Sequence, residues 1–245
     1  MGLIFGSGNT EVEGIITCWS PTAKVIETAV EKKANVIICH EPLTYDICGK
    51  DPEANLVWYE EAQVLAKKPN IKRLKYVFEN NLTIYRYHSN WDWAPRFGIA
   101  DALAEKLELG NNRAGSLRNP VFIIEPTPVK DVISRAREKS DLQQIRVAGD
   151  PEKNVERISI CQGGFGQMFT YPELPDAEGA DLALFGEMLD YTIRYCVEID
   201  LAAVELGHFQ SENPGMMAMA RFLQERVGND INISGVSSGE PWRFL

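Results

Sequence analysis

The sequence predicts an α/β protein whose parallel or mixed sheets are covered by helices. Three observations carry that expectation. Short β-branched runs alternate with amphipathic stretches of helical period along nearly the whole chain. At 245 residues the chain suits one large α/β domain or two small ones, with an ample core. A polar stretch at 111–119, with Gly115 inside it and Pro120 after it, reads as a linker between two strand–helix series.

The first series opens with a strand over Val12 to Cys18 (VEGIITC), short and β-branched. Ser20-Pro21-Thr22 then starts a helix to about Lys33, with Val25, Ile26, Ala29 and Val30 on one face. A buried strand follows at Asn35 to Cys39, helices at Glu53 to Lys67 and Pro69 to Glu79, and a strand at Leu82 to Tyr87. Ile99 to Leu107 closes the series as a helix ending near Gly110. The second series has strands at Val121 to Glu125, Gln144 to Ala148, Arg157 to Cys161, Asp181 to Phe185 and Leu201 to Leu206. Helices are expected over Val129 to Glu138, Met188 to Cys196 and Pro214 to Arg226, with a last strand at Ile231 to Ser234.

The net charge of -10 argues against general nucleic-acid binding, because an acidic chain repels phosphate backbones. A metal site can still reverse that field locally for a small anionic substrate. The five cysteines, Cys18, Cys39, Cys48, Cys161 and Cys196, have no paired spacing. They read as buried or free thiols in a reducing compartment rather than as a disulfide framework or a zinc knuckle. The glycine-rich start is too short for a signal peptide, and no apolar run reaches the roughly 20 residues that cross a bilayer. A cytoplasmic protein without a membrane span is the expectation.

The three histidines share an address. His40 and His88 directly follow predicted strands, and His208 follows one after a single glycine. Ligands of open α/β sheets gather beyond the carboxyl ends of strands. Each histidine also has an acid near it: Glu41 beside His40, Asp92 four after His88, Glu212 four after His208. Imidazole and carboxylate are the usual ligands of Zn, Mn, Fe, Co or Ni, and six such groups fit a pair of ions about 3.5–4 Å apart. Pro42 and Pro214 favour loops rather than helices around the first and third pairs. Any one pair is more simply a hydrogen-bonded histidine and a helix cap. The three pairs together favour metal.

Three stretches resemble the signature segments of the NGG-interacting-factor-three-like family, whose members include GTP cyclohydrolase I type 2 homologues and dinuclear-metal hexameric proteins. They are Ile38-Cys39-His40-Glu41-Pro42-Leu43, Tyr87-His88-Ser89-Asn90-Trp91-Asp92-Trp93-Ala94-Pro95 and Gly207-His208-Phe209-Gln210-Ser211-Glu212. The likeness extends to Gly2 to Gly6, Asp101 to Ala104, the glycine turn Cys161 to Gly166, Gly179 to Asp181 and Gly186-Glu187. The resemblance implies two interleaved α/β domains, at 1–112 with 205–245 and at 113–204, and a homohexamer. It implies His40, Glu41, His88, Asp92, His208 and Glu212 as ligands of two divalent metal ions.

Three departures from the family pattern matter. Glu41 stands where the family has a second histidine. Leu189-Asp190-Tyr191 stands where it usually has lysine and two histidines, so roles tied to those histidines do not carry over. The usual leading helix is shortened or absent. With Glu41 as a ligand, two divalent ions and three carboxylates leave a formal charge of roughly +1, against roughly +2 for four histidines and two carboxylates; that favours harder metals such as Mn or Fe.

The activity implied is a metal-dependent hydrolase, in which a metal-bridging hydroxide attacks a small, nucleotide-like substrate. The alternative is a non-enzymatic metal-binding or regulatory hexameric assembly. Trp91 and Trp93 can stack on a flat ring, though packing is the commoner use of tryptophan. Glu187 reads as a general acid or base, or as a helix cap. Gly163-Gly164-Phe165-Gly166 misses the dinucleotide spacing and reads as a tight structural turn.

Overall fold

The computed structural model describes residues 2–45, 61–140, 142, 144–167 and 173–242. Cys48 and residues 53–60 of the expected helix lie outside them. The chain divides into two compact units, interleaved in sequence. The first comprises Met1–Ser89 and Met216–Ser238, and the second Asn90–Gly215 and Gly239–Leu245.

In the first unit, β1 (Gly2–Phe5), β2 (Gly14–Cys18), β3 (Val36–Cys39), β4 (Thr83–Arg86) and β11 (Asn232–Gly235) form one sheet, in the order β1-β4-β3-β2-β11. All its pairings are parallel except β1 with β4. The runs GIITC and VIIC are almost wholly buried, as central parallel strands require. The helices α1 (Ala23–Glu31) and α3 (Lys68–Glu79) supply Val25, Ile26, Ala29 and Val77 to a core with Ile16, Ile37 and Ile84. Burial of each larger apolar side chain contributes about 1.5–3 kcal/mol. Thr22 caps α1 through a hydroxyl that accepts from the Val25 N–H at 3.3 Å. Of the helix expected before α3, α2 (Glu61–Leu65) is described.

The second unit contains α4 (Ser89–Asp92), which begins at the last residue of the first unit, α5 (Ile99–Lys106), β5 (Arg113–Gly115), β6 (Pro120–Pro128), α6 (Val129–Ser140), β7 (Arg146–Ala148), β8 (Asn154–Cys161), α7 (Glu173–Ala177), β9 (Leu182–Phe185), α8 (Asp190–Glu198) and β10 (Ala202–Glu205). The helix α9 (His208–Val227) starts here and ends in residues of the first unit. The sheet order is β5-β6-β8-β9-β10-β7, parallel only across β8, β9 and β10. One face packs Leu103, Val132 and Ala136 on Ile158, Ile160, Leu184 and Val204. The other packs Cys196 on Cys161, Ala183, Phe185 and Ala203. Alternate residues of β8 thus feed two separate cores, the period-two rule at work.

Two local expectations change. The stretch 111–119 carries β5, an edge strand whose Arg113 is in register with Phe122, so it is not a bare linker. The last helix begins at His208, six residues before the expected start. Pro214 lies inside it, six residues past the start, and removes one N–H bond from a helix already under way, since the Ser211 N–H bonds the Gly207 carbonyl at 3.0 Å.

Candidate metal centre

The histidines sit where parallel strands end. In the first unit the loops after β2, β3 and β4 are laced together. The His40 and Glu41 N–H groups donate to the Trp19 carbonyl at 3.1 and 2.7 Å, and the Tyr87 N–H donates to the Cys39 carbonyl at 2.9 Å. Arg86 Nε donates to the His40 carbonyl at 3.0 Å. This lacing buries His40 completely and stacks its ring on His88, with centroids 4.2 Å apart. Glu41 Oε1 lies 3.4 Å from His40 Nδ1 and 3.8 Å from His88 Nε2. Ser89 Oγ meets His88 Nδ1 at 3.0 Å, which leaves Nε2 on the side of Glu41. One donor atom from each of His40, Glu41 and His88 lies within 4.8 Å of the other two, a spacing that fits a metal ion.

In the second unit Gly207, in the left-handed region at φ 96°, turns the chain from β10 into α9. His208 and Glu212 are one turn apart on that helix, and Nε2 meets Glu212 Oε2 at 3.1 Å. Glu212 is buried. On the other side of the ring, Nδ1 meets Glu187 Oε2 at 3.1 Å. Burial opposes a charge on His208, yet the hydrogen bonds to Glu187 and Glu212 outweigh it and hold its pKa up to about 10. Without metal this imidazole is protonated between two carboxylates.

The glycine turn after β8 supports that pair. A Cβ on Gly163 would overlap Glu212 Oε1 and come within 3.0 Å of His208 Nε2. Only glycine leaves that side of the two donors clear, and its φ of 60° suits the same residue. The Gly163 N–H donates to Ser211 Oγ at 2.9 Å, and that hydroxyl donates to the His208 carbonyl at 2.8 Å. Here the turn is structural, and its clear side is what fits the donors to a cation.

Within the first unit the structure brings His40, Glu41 and His88 together, and within the second it brings together His208 and Glu212, while Asp92 is buried at the end of α4. Trp91 is a packing residue: it is buried and its Nε1–H donates to the Gly215 carbonyl at 2.9 Å. Trp93 is half-buried and meets Phe165 edge-on at 5.4 Å. Glu187 is not a helix cap, because α8 is capped by Leu189 with no side-chain bond. Its contact with His208 went unread in sequence, although Gly186-Glu187 follows a strand end as the histidines do. Cys18, Cys39, Cys161 and Cys196 are free and buried, and burial pushes Cys39 and Cys161 up to about 12, so neither is a ready thiolate ligand or nucleophile.

The family described as Duf34/NIF3 (NGG1p interacting factor 3) matches residues 1–240. The chain belongs to the NIF3 family. It is 26% identical to the GTP cyclohydrolase 1 type 2 homolog of Clostridium acetobutylicum, over 91% of this chain and 81% of that relative. It is 25% identical to the homolog of the same name from Haemophilus influenzae, over 94% of this chain and 87% of the relative. Its fold is similar to that of a hypothetical protein of Staphylococcus aureus, with a TM-score of 0.78, 18% identity and coverage of 100% and 91%. A Bacillus cereus protein related to NIF3 has a TM-score of 0.76, 16% identity and coverage of 100% and 92%. No described helix is long and apolar enough to cross a membrane.

Proposed function

We propose that this NIF3-family chain is a metal-dependent hydrolase of the GTP cyclohydrolase 1 type 2-like kind, acting on a small, nucleotide-like substrate. His40, Glu41, His88, Asp92, His208 and Glu212 hold two divalent ions, drawn from Zn, Mn, Fe, Co and Ni. The observation that carries this reading is the His40–Glu41–His88 cluster, whose donor atoms converge at strand ends within 4.8 Å of one another. The names of the relatives support the hydrolytic class. When bound, two such ions supply Lewis acidity for hydrolysis. The chain's own part is to hold that charge rigidly: the laced loops fix His40 and Glu41, and Gly163 keeps His208 and Glu212 clear.

The same reading extends to a cytoplasmic homohexamer. Leu3, Ile4, Tyr85 and Tyr87 on and just beyond β1 and β4 are exposed apolar residues that support an assembly surface. Light scattering giving a monomer would sink that part.

One observation favours a second reading, a non-enzymatic metal-binding or regulatory assembly. Leu189, where the family usually has lysine, is an exposed residue with no ionisable group, and Tyr191, where it usually has histidine, is exposed as well. The deciding experiment loads the purified chain with defined metals, counts the ions and screens hydrolase substrates including GTP. Turnover that disappears in His88→Ala supports the enzyme. Metal binding without turnover on any substrate supports the assembly reading, and absence of metal binding overturns both.

A further inference from the structure

The chain places a second carboxylate, Glu187, on the face of His208 opposite Glu212. Glu187 Oε2 is 3.1 Å from Nδ1, while Glu212 Oε2 is 3.1 Å from Nε2. The ring is spanned by two acids that do different work. Nδ1 is occupied by a group from β9's end, and Nε2 shares its space with Glu212 on the side that Gly163 leaves clear.

Glu187 is itself held from both ends. Its N–H donates to the Gly163 carbonyl at 2.9 Å, and the preceding Gly186 N–H donates to the Cys161 carbonyl at 3.0 Å. Gly166 has no Cβ, and one there would overlap the Glu187 carbonyl. The next residue, Met188, makes a parallel bridge with Gly166, and its N–H donates to Glu205 Oε1 at 3.1 Å. The side chain is fixed as well, because Gln167 Nε2 donates to Oε2, the oxygen that faces His208. Backbone and side chain are therefore both fixed on the imidazole.

We propose that Glu187 is the positioning residue of His208. It holds the proton of neutral His208 on Nδ1, so that Nε2 and Glu212 present a ready pair of donors to a divalent cation, and Gln167 fixes Glu187 in turn. Carboxylates that accept from the far nitrogen of a ligating histidine fix its tautomer and orientation, and their loss weakens metal affinity. The proposal rests on the metal reading above, and its test reads metal affinity and ring protonation rather than turnover.

The full chain is titrated with Zn²⁺ against a chromophoric chelator, with thermal unfolding to confirm that each variant folds. Glu187→Ala lowers Zn²⁺ affinity by roughly 10–100-fold. Glu187→Gln recovers part of that loss, because its amide oxygen accepts the same Nδ1–H. Gln167→Leu gives a smaller fall than Glu187→Ala. In the zinc-loaded wild type, long-range proton–nitrogen spectra show His208 Nδ1 carrying the proton. Equal affinity in a folded Glu187→Ala overturns the proposal, as does a Glu187→Gln no better than Glu187→Ala, or a His208 proton on Nε2. If Glu187→Ala does not fold, the Gln167→Leu affinity and the ring spectra decide. A wild type that binds no Zn²⁺ and none of the other divalent ions overturns the metal reading itself and this proposal with it.

Discussion

The two units build their donor clusters from opposite materials. In the first, two stacked imidazoles meet one carboxylate, and backbone lacing places them. In the second, one imidazole lies between two carboxylates, and side-chain hydrogen bonds place it. Surplus negative charge in a partly buried place must be balanced, and without metal a proton on His208 balances it. The first cluster is mostly imidazole nitrogen, which suits borderline metals, whereas a cation entering the second would have to displace the proton of His208.

The largest expected effect breaks that comparison by pH. The pKa of His208 is raised from 6.5 to about 10 in the folded state. Its contribution to metal-free stability is therefore fully present below about 6.5 and is lost as pH rises through about 10. The raised pKa makes this on the order of a few kcal/mol. Denaturant unfolding of the metal-free protein between pH 6 and 11 should show the decline in wild type and His88→Gln, and not in His208→Gln. A decline that persists in His208→Gln refutes the assignment.

Next comes Gly163→Ala, which puts a Cβ into Glu212 and into a φ of 60°. A cost of about 1–3 kcal/mol is expected from the backbone alone. Gly8→Ala, with open space around it and no left-handed backbone, should cost under about 1 kcal/mol. Equal melting temperatures for the two variants would show that the turn yields without cost.

Glu41→His would make the first cluster purely imidazole. An effect of about tenfold towards Zn over Mn, roughly 1.4 kcal/mol, is expected from the exchange of a hard donor for a softer one. Metal content after growth or dialysis in mixed metals measures it, and identical uptake by wild type and variant counts against a ligand role for Glu41. The smallest effect belongs to Trp91→Phe, which removes the bond to the Gly215 carbonyl. About 1 kcal/mol of stability should go, with metal content unchanged; a loss of metal would make Trp91 part of the site.

The sequence by itself determined most of what local chemistry dictates. GIITC and VIIC read as buried strands, Thr22 marks the start of α1, and the four-residue step from His208 to Glu212 pairs them if the backbone is helical. Pro214 argued against that helix, and the structure formed it regardless because one lost bond is small beside the buried face of α9, with Met216, Met219 and Ala220. What only the tertiary structure decided are contacts that depend on which strands end side by side. His40 stacks on His88 because β3 and β4 are parallel and in register from Val36 and Thr83 to Cys39 and Arg86. Glu187 reaches His208, 21 residues later, because β9 and β10 run parallel with Phe185 opposite Glu205. Strand pairing is non-local and leaves no mark in the spacing of either residue, so the contact of Glu187 with a histidine could not be read from the sequence.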